Sequence, residues 1–243
     1  MRSDDFHAPS YGTSAYGLLM LGALAFALWR WRVRTRAQPE LGVVIIGAIA
    51  GGFLGAKLAY LFAEGWLDWN QPDRWLRWAT GKSVLGGLLG AFVGVEAIKR
   101  AHGIRTPTGD GFALTLPFGL FLGRIGCILH GCCLGQPWTD GWCAVRDHAG
   151  VERWPAPHVE AVFQLLMLGL LAWMRRTGLG RDRLFYAYLM AYSTFRFAHE
   201  FVRATPRMVG PFSGYHLIAL LLVATGAIMW RRRTPERLLA DPI

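Results

Sequence analysis

The chain has 243 residues, 53% of them hydrophobic and only 17% charged, with a formal net charge of +10. That balance is too apolar for a soluble globule and fits a chain that threads a membrane several times. The basic excess does not mark nucleic-acid binding: the cations stand in short clusters between apolar runs, as cytoplasmic loops do, and no DNA- or RNA-reading motif accompanies them.

Residues 1–5 are polar and acidic. No small-residue cleavage site follows the first apolar run, which is therefore expected to be a retained helix rather than a signal peptide. Apolar segments predict helices over roughly 14–30, 41–63, 83–98, 109–125, 158–174, 183–202 and 212–230. The expected fold is an all-α polytopic membrane protein, one integral membrane domain over 1–243, with seven transmembrane helices. Basic residues choose the orientation. Arg30, Arg32, Arg34 and Arg36 follow the first span, Lys99, Arg100 and Arg105 the third, Arg175, Arg176, Arg181 and Arg183 the fifth, and Arg231, Arg232, Arg233 and Arg237 the seventh. These fifteen face eight on the other side. The bias puts the N-terminus outside and the C-terminus in the cytoplasm.

Glycines recur every fourth residue in three of these segments: Gly47, Gly51 and Gly55; Gly86, Gly90 and Gly94; Gly119 and Gly123. Small residues at this interval make flat stripes where membrane helices approach closely. Between the second and third spans, Trp66, Trp69, Trp75 and Trp78 alternate with Asp68, Asp73, Arg74 and Arg77. Such a stretch, 65–80, reads as an outer arm in the headgroup layer. The outer loops 133–157 and 203–211 are rich in Pro, Gly and Trp and have no periodicity.

The most informative stretch is 110–135. An apolar run ends in Arg124, followed by Gly126, Cys127, His130, Cys132, Cys133 and Gly135. An arginine there needs a partner or a ligand, and glycines let backbone approach what it holds. Lys57 and Arg196 are the other intramembrane cations; Glu96, Asp110, Glu160 and Glu200 are the acids. On one continuous helix, Arg196, Glu200 and Arg203 share a face. Arg124 and Arg196 sit near outer helix ends, and two guanidinium groups at that depth suit a phosphate, which in a membrane means a phospholipid headgroup. Asp110 lies roughly 21 Å from Arg124 along a straight helix and is expected to cap or brace an inner end. Pro117 is expected to kink that helix midway.

Cys127, Cys132, Cys133 and Cys143 are open to three readings: inert thiols, redox or nucleophilic use, and soft-metal ligation. Their spacing is not that of common zinc sites, and no metal is assigned. His130, with an ordinary value near neutrality, is a candidate general base.

The run G-R-I-G-C-I-L-H-G-C-C-L-G at 123–135 resembles the signature of bacterial prolipoprotein diacylglyceryl transferases, G-R-x-G-N-x-x-N-G-E followed by a glycine. Further likenesses are the Tyr-Gly at Tyr16, the stretch G-A-K-L-A-Y ending at Tyr60, the run from Ser83 to Gly90, and Asp110 through Pro117 to Arg124. Glu160 and the F-R-x-x-x-E-F-x-R pattern of Arg196, Glu200 and Arg203 complete them. The resemblance implies a multi-pass enzyme of the bacterial inner membrane. It would move a diacylglyceryl group from phosphatidylglycerol to the lipobox cysteine of a prolipoprotein or another thiol acceptor, with no cofactor. It puts Arg124, Arg196, His130 and Cys127 in catalysis. Substrate binding falls to Tyr16, Lys57, Gly86, Gly87, Gly126, Gly135, Glu200 and Arg203, with Asp110 and Glu160 structural. The chain departs from the pattern at Leu85, where the family has histidine, and at Cys127, His130 and Cys132, where it has two asparagines and a glutamate. A membrane thiol-redox or metal-handling protein, or a non-catalytic lipid binder, on the same scaffold is the alternative.

Overall fold

The computed structural model describes residues 10–139, 141 and 143–233. Its regular structure is almost wholly helical: α1 (Ser10–Ala37), α2 (Leu41–Ala63), α3 (Arg74–Thr80), α4 (Val84–Ala101), α5 (Asp110–Ala113), α6 (Thr115–His130), α7 (Ala156–Thr177), α8 (Leu184–His199) and α9 (Gly214–Arg232). One short antiparallel ribbon pairs β1 (Val145–Arg146) with β2 (Glu152–Arg153). Helices overlap each of the seven apolar segments. Among the described residues, four are long and apolar enough to cross a membrane: α2, the stretch Asp110–His130, α7 and α9. A fifth is added if α3 and α4, bent by 59° at their junction, are taken together.

Local chemistry sets the boundaries. Ser83 caps α4, its hydroxyl accepting the Gly86 N–H at 3.3 Å. Gly131 and Gly178, both left-handed, end α6 and α7. Pro117 does not kink a continuous helix midway, as expected from its place in the segment. The chain breaks at Leu114 instead, and Pro117 falls in the first turn of α6, where a missing N–H costs nothing. The helical face expected to carry Arg196, Glu200 and Arg203 together is also interrupted: α8 ends at His199, Glu200–Val202 is a 3-10 turn, and Arg203 stands in an isolated bridge with Gly135.

Polarity is inverted relative to a soluble protein. Ile46 is 65% exposed and Leu166 68%, while Glu160, Gln164 and Glu200 are completely buried. Apolar side chains outward and paired polar groups inward is the arrangement a bilayer imposes.

Two compact units can be recognised, each assembled from separated stretches. One takes α1 as far as Arg32, Gly111–Leu179 and Val202–Ala204; the other takes Val33–Asp110, Gly180–Phe201 and the chain from Thr205 onward. In the first, α6 packs on α7, and α1 adds Phe26 against Phe118 and Trp31 against Phe112, ring centroids 4.6 and 4.3 Å apart. In the second, α2 packs on α4 and α8 on α9. Tyr188, Tyr192, Leu189 and Leu222 fill its interior.

The α2–α4 contact is made by glycine. A methyl group placed on Gly51, Gly55, Gly90 or Gly94 would collide with backbone of the facing helix: Gly51 with Gly90, Gly55 with Gly86, Gly94 with Gly47. The stripe at Gly119 and Gly123 behaves differently. A methyl group on Gly119 meets nothing within 4 Å, and on Gly123 only the Met20 sulfur at 3.8 Å, so no helix is in close approach there. Gly90→Ala should therefore force α2 and α4 apart and lower stability by about 1–3 kcal/mol. Gly119→Ala should change it by less than about 0.5 kcal/mol; thermal unfolding of both variants in detergent makes the comparison.

Candidate functional site

Arg124 is in the last turns of α6 and half-buried; its Nη2 lies 3.0 Å from Oε2 of Glu160. Glu160 comes from the first turns of α7 and has no exposure. A second guanidinium, Arg203, brings Nη1 to 4.0 Å from the same carboxylate oxygen. Arg124 also directs Nη1 at the Cys127 sulfur, 3.8 Å away. One buried carboxylate thus gathers two arginines beside a group of thiols.

The loop after α6 holds Arg203 in place. Gly135 N–H donates to Trp154 O at 2.8 Å, Gln136 N–H to Val202 O at 2.9 Å, and Trp154 N–H to Gln136 O at 3.0 Å. The Gln136 amide donates to Arg203 O at 3.1 Å. Gly135 is required here for packing: a methyl group on it would stand 2.5 Å from Val202 O and 2.8 Å from Trp154 Cβ. Asp147 ties off the loop, accepting Arg153 Nε at 2.5 Å and the N–H groups of Ala149 and Val151 at 2.9 Å. The Arg153 hydrogen bond holds the Asp147 carboxyl below the usual carboxylate range.

Gly126 and Cys127 are buried in α6, and His130 is its half-buried last residue. The chain then turns so that the sulfurs of Cys127, Cys132 and Cys133 all lie within 4.8 Å of one another. Thiol hydrogen bonds from Cys127 and Cys132, reinforced by the charges of Arg124 and Arg203, pull the Cys133 thiol down from the ordinary range. The ring of His148 packs over Gly131, its Nε2 2.5 Å from where a methyl group would stand. Nothing in the loop's composition announced that histidine.

The other unit carries a second buried pair. Arg196 Nη2 donates to Glu200 Oε2 at 3.0 Å, both side chains under 10% exposed. The remaining oxygen of Glu200 accepts the hydroxyls of Thr205 at 2.5 Å and Ser213 at 3.2 Å. Arg207 donates to the carbonyls of Glu200 and Phe201 at 3.0 and 2.8 Å. Thr205, Arg207 and Ser213 were missed because an aperiodic loop gives no pattern. The sole signal was a serine directly before an apolar run, a cap position at α9.

Lys57 Nζ donates to Trp78 O, Ala79 O and Gly81 O at 2.5, 2.8 and 2.9 Å. Its ammonium closes the C-terminal end of α3 and anchors the tryptophan arm to α2. Gly86 is filled by its approach to Gly55 and Ala59, whereas a methyl group on Gly87 would find ordinary contacts at 3.6 Å. Asp110 accepts the N–H groups of Asp182 and Leu184 at 2.7 and 2.9 Å and so fixes the entry to α8. The backbone of Tyr16 falls in α1, and its side chain lies outside the described residues.

Buried arginine–carboxylate clusters inside, lipid-compatible surface outside and membrane-length helices define a multi-pass membrane protein of helical type. A family model described as prolipoprotein diacylglyceryl transferase matches residues 6–232, and the chain belongs to that family. A relative from Methylococcus capsulatus, named phosphatidylglycerol–prolipoprotein diacylglyceryl transferase, is 35% identical over 211 residues, spanning 80% of this chain and 79% of its own. Proteins of the same name from Vibrio parahaemolyticus and Dehalococcoides mccartyi are 30% and 25% identical, over 88% and 94% of this chain and 84% and 92% of theirs.

Removing one member of a buried ion pair strands the other, at about 3–5 kcal/mol. Glu160→Gln should accordingly lower the thermal midpoint strongly, whereas Glu152→Gln, facing a 75% exposed Arg146, should cost less than about 1 kcal/mol. Asp147 gives a pH signature. A carboxyl held below its ordinary value contributes stability above that value and loses it as pH falls through the folded one. The 135–154 loop should therefore resist protease down to about pH 4 and open below it, and Asp147→Asn should be cut at neutral pH.

Proposed function

We infer that this protein transfers the diacylglyceryl group of phosphatidylglycerol to a cysteine thiol, that of a prolipoprotein lipobox being the acceptor the family points to. The observation that carries this is Arg124, the arginine of the family signature, seated on the buried carboxylate of Glu160 at the end of an apolar helix. The acceptor thiolate attacks the glyceryl carbon that bears the phosphate ester. A carbon–sulfur bond forms, the carbon–oxygen bond breaks, and glycerol phosphate leaves with the electron pair.

Negative charge grows on the departing phosphate oxygen, and fixed guanidinium donors stabilise it. Arg124 supplies that charge, oriented by the buried Glu160; the family resemblance gives Arg196, held by Glu200, a part in catalysis as well. Arg203 adds positive potential beside Arg124. His130 takes the thiol proton of the acceptor, and Cys127 keeps Arg124 aligned through its sulfur. Gly126 lets backbone come close to the lipid, and Tyr16 and Gly87 add to its binding; Gly86, Gly135, Lys57 and Glu200 serve by holding the surrounding backbone in place. The chain lies in the bacterial inner membrane with seven spans, N-terminus outside, so that the signature faces secreted substrates.

The purified protein in detergent, given phosphatidylglycerol and a lipobox peptide, should yield the thioether-linked diacylglyceryl peptide, detected by mass spectrometry. It should also rescue cells depleted of their own transferase. Arg124→Lys and Arg196→Lys should each lower turnover by about 100-fold or more, because lysine cannot reproduce the planar fork. No product and no rescue with folded wild-type protein would overturn the assignment and leave lipid binding without chemistry.

A further inference from the structure

Three of the four cysteines meet at the end of α6, and the proposed transfer uses only the contact of Cys127 with Arg124. The sulfurs of Cys127, Cys132 and Cys133 are mutually within 4.8 Å, and Cys143 is outside the group. The backbone is bent to bring them there. Gly131 takes φ +67°, Cys132 N–H returns to Cys127 O at 3.1 Å, and Cys133, which is not a glycine, takes φ +63°. A left-handed conformation costs a residue with a Cβ about 1–2 kcal/mol. It turns Cys133 back over the helix end, and all the cysteines are free thiols. Arg124 lies 3.8 Å from the Cys127 sulfur.

We propose that Cys127, Cys132 and Cys133 form a three-thiolate site for one thiophilic d10 cation, Cu(I) in particular. Metal–sulfur bonds of about 2.3 Å in a trigonal arrangement set sulfur–sulfur distances near about 4 Å, so the observed group closes on an ion with small rotamer adjustments. Soft sulfur donors select Cu(I). A zinc ion in a structural site takes four ligands, and among the described residues no fourth His, Cys, Asp or Glu joins this group. Cu(I) with three thiolates carries two net negative charges, in the neighbourhood of Arg124 and Arg203. Binding is ligand exchange: whatever protons the three thiols still carry go to solvent and no electron is transferred. The site is additional to the transferase assignment and does not depend on it.

The test is titration of the full-length protein, reduced and anaerobic in detergent, with Cu(I) in competition with a chromophoric Cu(I) chelator. The expected result is one ion per chain. Even an outer-shell partner of a metal is worth about 10-fold in affinity, so Cys133→Ser and Cys132→Ser should each weaken binding by more than about 10-fold, while Cys143→Ser leaves it unchanged. Cys133 is exposed, and the thermal midpoint of its serine variant should match that of the wild type. Three results would overturn the site: a chelator that keeps all the Cu(I), equal effects of Cys143→Ser and Cys133→Ser, or binding that survives serine at both Cys132 and Cys133.

Discussion

A carboxylate with no exposure, carried on a helix of membrane length, is the constraint to which the first unit answers. Glu160 cannot remain ionised in apolar surroundings without cations, and a buried ion is stable only when its partners are close and well oriented. Arg124 and Arg203 meet that need from opposite sides of the sequence, one before α7 and one after α8. Once Arg203 must reach Glu160, residues 202–204 have to join the loop that follows α6. The bonds from Gln136 to Val202 and from its side chain to Arg203 are the means. A single buried charge therefore links three stretches that sequence distance separates.

The other unit repeats the principle with different neighbours. Glu200 is held by Arg196, Thr205 and Ser213, so each of its oxygens has a donor. Its helices approach by a second means, the matched glycines of α2 and α4, where backbone meets backbone. In lipid no hydrophobic force drives helices together, and close van der Waals contact and internal hydrogen bonds take its place. Both devices lie inside the second unit, so its apolar exterior is left to meet lipid without further specificity.

What could be read from sequence follows from which forces act locally. The apolar segments and the α2–α4 glycine stripes are periodic, and periodicity is a one-dimensional signal. The stripe at Gly119 had the same spacing, but no backbone among the described residues comes close to it, because spacing describes a face and not what covers it. Arg124 stood out since a charge ending an apolar run is costly. Its partner Glu160 was visible as an intramembrane acid, but the pairing is a contact across 36 residues that no pattern encodes. Helix continuity misled in one place: Arg203 shares a face with Arg196 only if α8 continues, and it ends at His199. The anchoring of the arm by Lys57 was hidden for the same reason, since three carbonyls at a helix end leave no mark on composition.

The departures from the family pattern bear on how Arg124 is aimed. Amide side chains at the positions of Cys127 and His130 would offer strong acceptors to a nearby guanidinium. A thiol is a weak one, and the 3.8 Å contact to Cys127 is correspondingly long. The Glu160 oxygen 3.0 Å away is the firmer of these two partners. Arg203, 4.0 Å from the same oxygen, brings a second positive charge to that carboxylate. Replacing neutral amides by sulfur thus weakens one side-chain acceptor for Arg124, and of the two contacts the ion pair with Glu160 is the stronger.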